Sequence, residues 1–200
     1  MASRPLDVET RPTELALLAR CHRLCLPDTA SSRAGLAVLE ALYAGLCRDT
    51  AARVIWEPGL AGLPEHGAFA AGTVRYRDTE RHMRSSLSKL SFARLALHAA
   101  IMPGHLLSRR RWESLIPREG IGYVLTLGVA SAVVPSARTR RGSELLAELE
   151  SWFVSQGCSA SYVDTELVNQ RAYAFYLRAG YLECSRDHGQ VLLRKTLLAG

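Results

Sequence analysis

The chain has 200 residues, 48% of them hydrophobic and 22% charged, and its formal net charge is +6. This composition excludes a disordered chain, and the length predicts one domain whose core needs neither disulfides nor metal ions. The basic excess suits an anionic cofactor. It does not indicate a nucleic-acid partner, because the arginines are spread along the chain except at 109–111 and 138–141.

The cysteines and the N-terminus bear on the cellular compartment. The five cysteines form no pair of C-x-x-C motifs, so we expect buried free thiols in a reducing compartment. A metal cluster is the alternative, because Cys21 and Cys25 stand four residues apart beside His22. The first dozen residues contain no apolar signal segment, and no apolar run approaches about 18 residues. The sequence therefore predicts a soluble, cytoplasmic protein with no membrane partner and no metal.

Apolar side chains at helical spacing predict four helices in the first part of the chain. These are at 13–26, 33–47, 80–101 and 106–115. Ser31 or Ser32 is expected to cap the second helix. The third is amphipathic, and four leucines are available for packing: Leu87, Leu90, Leu95 and Leu97.

Six segments alternate or are apolar enough for strands. They are 53–56, 68–77, 120–129, 159–164, 181–186 and 190–195. The first two could form a hairpin, and 120–129 is nearly all apolar, as expected of a strand covered on both faces. Helices at 143–156 and 168–179 separate the later strands, which predicts a mixed α/β fold with helices flanking a twisted sheet.

An anion site is expected where the strand 120–129 leads into the helix 143–156. The connection 130–142 carries a proline and three arginines. This connection would lead into a helix that starts at Gly142 and Ser143. The unpaired N–H groups and the dipole of a helix start attract negative charge. Arginine side chains can add charge-assisted hydrogen bonds to phosphate oxygens.

The most specific pattern is N-x-x-A-x-x-F-Y-x-x-x-G-[FY] at residues 169–181. Its members are Asn169, Ala172, Phe175, Tyr176, Gly180 and Tyr181. This stretch resembles the last helix and following turn of the GNAT superfamily of N-acetyltransferases, and the resemblance covers about residues 120–196. Residues 26–46 are similar to the opening helices of some members, and 67–77 to an early strand.

The resemblance implies a GNAT-like acyl-CoA N-acyltransferase fold as a single domain over 1–200. Residues 1–119 would form the acceptor side and 120–200 the acyl-CoA-binding half. The implied function is transfer of acetyl from acetyl-CoA, or of another acyl group from its acyl-CoA, to the amine of a small molecule. The amine would attack directly, without a covalent acyl-enzyme. A noncatalytic module of the same fold that binds or senses acyl-CoA is the alternative.

The resemblance also implies site residues. The thioester carbonyl and the pantetheine amides would pair with the central strand at Leu127, Gly128 and Val129. The pyrophosphate would lie on a turn made of Arg138, Thr139, Arg140, Arg141, Gly142, Ser143 and Glu144. Arg140 stands where the family has a glycine, which predicts a weaker cofactor site.

Two side chains of the 169–181 pattern are given roles by the resemblance. Asn169 would hydrogen-bond the pantetheine arm or hold the neighbouring loop, and Tyr176 would protonate the departing thiolate. A tyrosine with a pKa of roughly 10 is protonated at neutral pH and can serve as that acid. From the residues alone, Asn169 could equally be a helix cap and Tyr176 a core aromatic.

The acceptor side is less defined by the sequence. Five groups could reach the cleft as the base that deprotonates the amine, and none is favoured by spacing: Glu57, Glu65, Asp78, His98 and Glu119. Scattered arginines in 78–117 suggest an acceptor that carries a carboxylate or phosphate. A monomer and a homodimer both stay open.

Overall fold

The computed structural model describes residues 4–5, 12–59, 62–100, 112 and 114–197. Six long strands and one two-residue strand form a single sheet. The strands are β1 (Arg4–Pro5), β2 (Ala52–Glu57), β3 (Ala68–Thr73), β4 (Ile121–Val129), β5 (Ala160–Glu166), β6 (Leu182–Asp187) and β7 (Gln190–Thr196). Their order across the sheet is β1-β2-β3-β4-β5-β7-β6. Only β4 and β5 run parallel; all other neighbours are antiparallel.

Helices cover both faces of this sheet. They are α1 (Pro12–Cys25), α2 (Ala30–Ala34), α3 (Leu36–Arg48), α4 (Tyr76–Ser85), α5 (Lys89–Ala100), α6 (Pro135–Ser155) and α7 (Gln170–Arg178). On one face, Leu18 of α1 and Tyr43 of α3 pack against Phe69 of β3. On the opposite face, Leu149 of α6 and Tyr176 of α7 share a core with the central strands. The predicted mixed α/β architecture is confirmed.

Two predicted helices are divided. The segment 33–47 is interrupted at Gly35, whose φ of 110° lies in a region that favours glycine. The prediction of a serine cap is wrong, because the Thr29 side chain accepts a hydrogen bond from the Ser32 N–H and caps α2. The segment 80–101 forms α4 and α5 instead of one helix. It begins earlier than predicted, since the strand expected over 68–77 ends at Thr73.

The packing predicted for the 80–101 segment is also wrong in part. Leu90 and Leu97 of α5 are 64% and 63% exposed, and no side chain of α5 is buried. The prediction of a helix at 106–115 lies largely outside the described residues. Within the described parts, no helix combines the length and apolarity needed to cross a membrane.

The cysteines behave as free thiols in the described part of the chain. Cys21 and Cys158 are buried, and the Sγ atoms of Cys21 and Cys25 lie 4.0 Å apart. No group of three or more metal-binding side chains occurs among the described residues. The pairing of Cys21 with Cys25 instead places two thiols at the end of α1, next to the cleft described below.

Candidate active site

The central feature of the site is a cleft between the two parallel strands. β4 and β5 pair only from Ile121 with Ala160 to Val124 with Val163. Both strands continue, β4 to Val129 and β5 to Glu166, but they no longer pair with each other. The β5-facing edge of β4 therefore presents backbone groups that a bound molecule can pair with, since unpaired strand edges are templates for hydrogen bonding.

A bulge in β4 explains why the strands separate there. In the pairing with β3, Thr126 lies opposite Ala71 and Val124 lies opposite Gly72, so Leu125 is an extra residue. A bulge of this kind bends its strand and increases the local twist. It falls directly after the last pair with β5, which is where the cleft opens. The local sequence gave no signal for this extra residue.

The cleft has a volume of about 510 Å³. Its walls come from the end of α1 and the loop after it, from the separated parts of β4 and β5, and from the first turns of α7. Among the predicted site residues, Leu127, Asn169 and Tyr176 line this cleft. Gly128 lies beside it, packed so closely that a Cβ would stand 2.5 Å from Phe69.

Tyr176 lies in the wall formed by α7 and is buried. Burial raises the pKa of its phenol well above the usual value, and the negative charge of Asp164 adds to this rise. The phenol is therefore protonated at any working pH. Within the described part of the chain, its hydroxyl makes no hydrogen bond. A protonated donor without an internal acceptor is available to a molecule in the cleft.

Asn169 is the N-cap of α7. Its side-chain oxygen accepts a hydrogen bond of 3.1 Å from the Ala172 N–H, as preferred for a cap residue. The side chain also lines the cleft. The cap fixes the start of α7 and hence the position of Tyr176, so the capping alternative of the sequence is confirmed. The amide nitrogen of Asn169 is a further donor that the cap does not use.

The predicted phosphate turn is wrong in its local structure. α6 begins at Pro135, with proline in the favoured first position, and not at Ser143. The Arg138 N–H already bonds to the Val134 carbonyl at 2.9 Å. Residues 139–144 lie inside α6, where backbone N–H groups are bonded within the helix. Their amides cannot form the turn that the sequence predicts.

The side chains of this segment also have internal partners. Arg138 donates to the carbonyls of Ser131 and Val133, which closes the loop between β4 and α6. Arg141 pairs with Glu57 and Glu144. These contacts hold the loop and the sheet face together.

Four further members of the predicted phosphate turn have structural positions. Arg140 lies 3.7 Å from Glu144 and is largely exposed. Gly142 is buried, with Phe175 3.4 Å from the position of a Cβ, and Ser143 donates to the Thr139 carbonyl within α6. These residues are therefore part of α6 and do not form a loop.

None of the five proposed bases lines the cleft. Glu57 is buried, and burial raises its pKa more than the paired Arg141 lowers it. Asp78 pairs with Arg81 on the surface, and Glu119 is exposed. The carboxylates that do line the cleft are Asp28, Asp164 and Glu166. Sequence reasoning missed them because their strand and loop positions meet only in the folded chain.

The wall formed by α1 carries groups that no motif indicated. His22 lines the cleft, is 6% exposed and accepts or donates a hydrogen bond of 2.7 Å between Nδ1 and the Tyr43 hydroxyl. Burial lowers its pKa to about 4. Cys25 also lines the cleft, and a hydrogen bond from Cys21 together with the charges of Arg138 and Arg171 lowers its pKa.

Comparisons with known proteins agree with this geometry. Residues 104–181 match the acetyltransferase (GNAT) family. No curated protein matches the sequence significantly. A crystal structure of aminoglycoside 6'-acetyltransferase type Ii superposes with a TM-score of 0.62 at 14% identity, over 100% of this chain and 99% of that one.

Two other solved structures have the same fold. The aminoglycoside 6'-N-acetyltransferase from Enterococcus faecium gives a TM-score of 0.58 at 13% identity, covering 100% of this chain and 99% of its own. The NatC complex bound to Gag peptide and CoA gives 0.57 at 13% identity, with 98% of each chain covered. The match of residues 104–181 to the acetyltransferase (GNAT) family and the fold shared with these solved structures lead to one conclusion: the chain has the fold of those acetyltransferases, and its segment 104–181 is similar to the GNAT family.

Proposed function

We propose that the chain is an N-acetyltransferase that moves the acetyl group of acetyl-CoA to the amine of a small molecule by direct attack. The observation that carries the proposal is the Tyr176 hydroxyl, which is protonated and without an internal partner in the wall of the cleft between β4 and β5. The family match supports the same chemistry.

The unpaired edge of β4 supports the position of the acyl-CoA. Beyond Val124, the backbone of Leu127, Gly128 and Val129 no longer pairs with β5. The pantetheine amides would extend the sheet along this edge, and the thioester would lie between it and Tyr176. The free amide nitrogen of Asn169 would donate to a pantetheine carbonyl.

The start of α6 is the better position for the phosphates, in place of the turn predicted at 138–144. The first N–H groups of a helix have no intrahelical acceptor, and the helix dipole favours an anion there. Arg138 lies in this first turn, and Arg171 lies in the first turn of α7. Both are close enough to Cys25 for their charges to lower its pKa, so they place positive charge at one end of the cleft.

In the proposed reaction, the lone pair of a neutral amine attacks the thioester carbon. The carbon–sulfur bond then breaks, and the coenzyme leaves as a thiolate. Tyr176 donates its hydrogen bond to the departing sulfur. Its raised pKa makes full proton transfer to the thiolate unfavourable on its own, so the phenol gives its proton to the sulfur only as it receives the proton that the attacking nitrogen loses. The products are the amide and the free thiol, and Tyr176 is left protonated.

The charge of the cleft bears on the acceptor. The charged side chains in its described lining are Asp28, Asp164 and Glu166, and no lysine or arginine is among them. Asp28 is partly compensated by Arg33 at 3.1 Å. This lining favours a cationic amine and is unsuited to the carboxylate- or phosphate-bearing acceptor suggested by the arginines of 78–117.

A thiol-release assay with acetyl-CoA tests the proposal. The amine panel would contain an aminoglycoside and a short peptide with a free N-terminus, because the similar structures are an aminoglycoside acetyltransferase and a complex bound to a peptide. Spermidine is added as a simple polycationic amine that suits the acidic lining of the cleft. We expect turnover with at least one polycationic amine. Saturable binding of coenzyme A without turnover would favour the sensing module, and no binding at millimolar coenzyme A would reject both functions.

Arg138→Ala tests the position of the phosphates by calorimetric titration with coenzyme A. We expect the affinity to fall about three- to tenfold, because a charge-assisted contact and the loop that it closes are lost. Arg178→Ala, in the last turn of α7, removes an exposed arginine and is the matched control. Equal affinities for the two variants would move the phosphate site away from the start of α6.

A further inference from the structure

One acidic side chain lies at the point where the two parallel strands separate. Val124 and Val163 form the last pair of β4 with β5, and Asp164 is the next residue of β5. Asp164 lines the cleft. The hydroxyl of Tyr123, the residue before Val124 on β4, donates a hydrogen bond of 2.6 Å to Asp164 Oδ1. This bond joins the two strands where the cleft begins and holds the carboxylate in place.

Asp164 and Tyr176 belong to opposite faces of the sheet. Tyr176 shares a core cluster with Val163 on the face covered by α6 and α7. Side chains alternate along a strand, so Asp164 points to the other face, where Tyr123 packs. Leu125 packs against the cluster of Tyr123 and also against the cluster of α1, so both clusters lie on one face. Asp164 therefore lies on the α1 side of the cleft.

The carboxylate of Asp164 is nevertheless near the phenol of Tyr176. Burial raises the pKa of Tyr176, and the negative charge of Asp164 is the second cause of the rise. A charged group has this effect only when it is close. Both side chains also line the same cleft. A thioester whose sulfur lies at Tyr176 would thus have Asp164 on its α1 side.

We propose that Asp164 binds the reacting amine of the acceptor, and that Tyr123 is the residue that positions its carboxylate. A carboxylate offers about four lone-pair sites, so the bond from Tyr123 leaves capacity for an N–H of the amine. An aliphatic primary amine suits this site, because the carboxylate attracts its protonated form from solution. The catalytic role rests on the proposed function, whereas the binding of an amine does not.

The carboxylate has two tasks in the reaction. It first holds the ammonium form, which loses one proton to solvent and becomes a neutral amine while another N–H stays bonded to Asp164. When the nitrogen lone pair forms the bond to the thioester carbon, positive charge develops on the nitrogen, and the carboxylate stabilises it. The nitrogen then gives its proton to Tyr176 as the phenol gives its own to the sulfur. Asp164 neither gains nor loses a proton in these steps.

Calorimetric titration of spermidine into protein saturated with coenzyme A tests the binding site without turnover. We expect Asp164→Asn to weaken spermidine binding about tenfold or more, the effect of one hydrogen bond to a charged group. Asp78→Asn is the matched control, because it makes the same change on the surface of α4, where Asp78 pairs with Arg81. Equal affinities of the two variants, or no binding by the wild type, would overturn the proposal.

Steady-state kinetics of thiol release separate a contact at the reacting nitrogen from general attraction by charge. We expect Asp164→Asn to lower kcat at least about tenfold, because the charge that develops on the nitrogen is no longer stabilised. Glu166 lines the cleft on the same face, about 7 Å further along β5, so Glu166→Gln should raise mainly KM. Equal losses of kcat in the two variants would overturn the catalytic role of Asp164.

A double-mutant cycle tests the positioning by Tyr123. Tyr123→Phe removes the hydroxyl and keeps the ring that stacks on Tyr76 with centroids 4.2 Å apart. We expect kcat/KM to fall about threefold to tenfold when Asp164 is present, and to stay unchanged when Asp164→Asn is already in place. Equal losses in both backgrounds would mean that Tyr123 acts only through the fold, and would overturn its role in positioning.

The outcomes keep the amine site and the proposed function apart. Spermidine binding that depends on Asp164, without thiol release from acetyl-CoA with any amine of the panel, would support the site and reject the function. Thiol release whose KM and kcat are unchanged by Asp164→Asn, with the variant folded by circular dichroism, would support the function and reject the site.

Discussion

The two walls of the cleft are built on different principles. The α7 wall is marked by a local pattern, in which Asn169 caps the helix and Tyr176 follows two turns later. The α1 wall has no such pattern, and its polar side chains are recognised only in the folded chain, as for the buried imidazole of His22. The difference teaches that the pattern which resembles the family is local in the sequence, whereas the α1 wall is assembled from residues that are distant in the sequence.

The largest expected effect lies on the α7 wall. Tyr176→Phe removes a single hydroxyl and keeps the ring that packs against Phe175 and Tyr181. We expect kcat for thiol release to fall about 100-fold or more, the usual effect of losing a general acid, with the affinity for coenzyme A nearly unchanged.

Tyr173→Phe is the matched control for this experiment. Tyr173 is on the same helix, and its hydroxyl donates to Glu183 at 2.9 Å on the surface. An unchanged kcat in Tyr176→Phe would leave the α7 wall as a binding surface only. The contrast between the two walls would then be lost.

The next effect lies on the α1 wall and concerns the pH dependence of stability. The pKa of His22 is about 4 in the folded chain and 6.5 as the reference value. Between these values the unfolded chain binds a proton that the folded chain does not, so stability falls as the pH is lowered from about 6.5 to 4. The full loss is about 3 kcal/mol.

Urea unfolding at several pH values measures this loss. In His22→Phe we expect the decrease between pH 6.5 and 4 to be smaller by about that amount. His82→Gln, at an exposed histidine of α4, is the control and should follow the wild type. If His22→Phe lost as much stability between pH 6.5 and 4 as the wild type does, the imidazole would not be desolvated. The α1 wall would then be exposed to water.

Two glycines of β4 pack closely against aromatic side chains on opposite faces of the sheet. A Cβ at Gly128 would lie 2.5 Å from Phe69 on the α1 side, and a Cβ at Gly122 would lie 2.2 Å from Phe153 on the α6 side. Overpacking of this kind costs about 1–3 kcal/mol, so we expect both alanine variants to lower the free energy of unfolding in urea.

Their effects on the cleft should differ. Only Gly128→Ala is expected to raise the KM for the amine in the thiol-release assay, because only this substitution displaces Cys25 and with it the end of α1 that lines the cleft. Equal effects of the two variants on amine binding would mean that the sheet transmits strain across both faces. The α1 wall would then not be an independent unit.

The sequence predicts the features of the fold that are local. The apolar run of β4, the hairpin-like pair β2 and β3, and the 169–181 pattern each depend on residues near one another, and the structure confirms their secondary structure. Two boundaries that the sequence analysis placed elsewhere also have local signals, because glycine and proline often mark helix ends. Gly35 separates α2 from α3, and Pro135 is the first residue of α6.

The rest of the site depends on tertiary contacts. The bulge at Leu125 is defined by pairing with β3, and no residue type near it requires an extra position. The burial of His22 and of the Thr126 hydroxyl is likewise a property of the folded chain and not of the local sequence. Periodicity predicts the helix and the strand but not the cleft that they line together.

The smallest expected effect is at Gly142, where the sequence and the structure differ most. The resemblance to the GNAT family implies that Gly142 lets the backbone approach a phosphate closely. A side chain at position 142 should then weaken the binding of coenzyme A. In the structure it lies inside α6, with Phe175 3.4 Å from the position of a Cβ. Alanine in a helix interior gains about 1 kcal/mol over glycine, and the tight contact with Phe175 offsets part of this gain.

We therefore expect Gly142→Ala to leave the calorimetric affinity for coenzyme A within about twofold of the wild type, with the free energy of unfolding within about 1 kcal/mol. A tenfold loss of affinity in a folded variant would restore the phosphate turn at 138–144. It would also mean that α6 unwinds to Gly142 when coenzyme A binds, because helical amides cannot hold a phosphate while they bond to their own carbonyls. The start of α6 would then be the part of the site that takes its final form only with coenzyme A bound, whereas α7 would be preformed by its Asn169 cap.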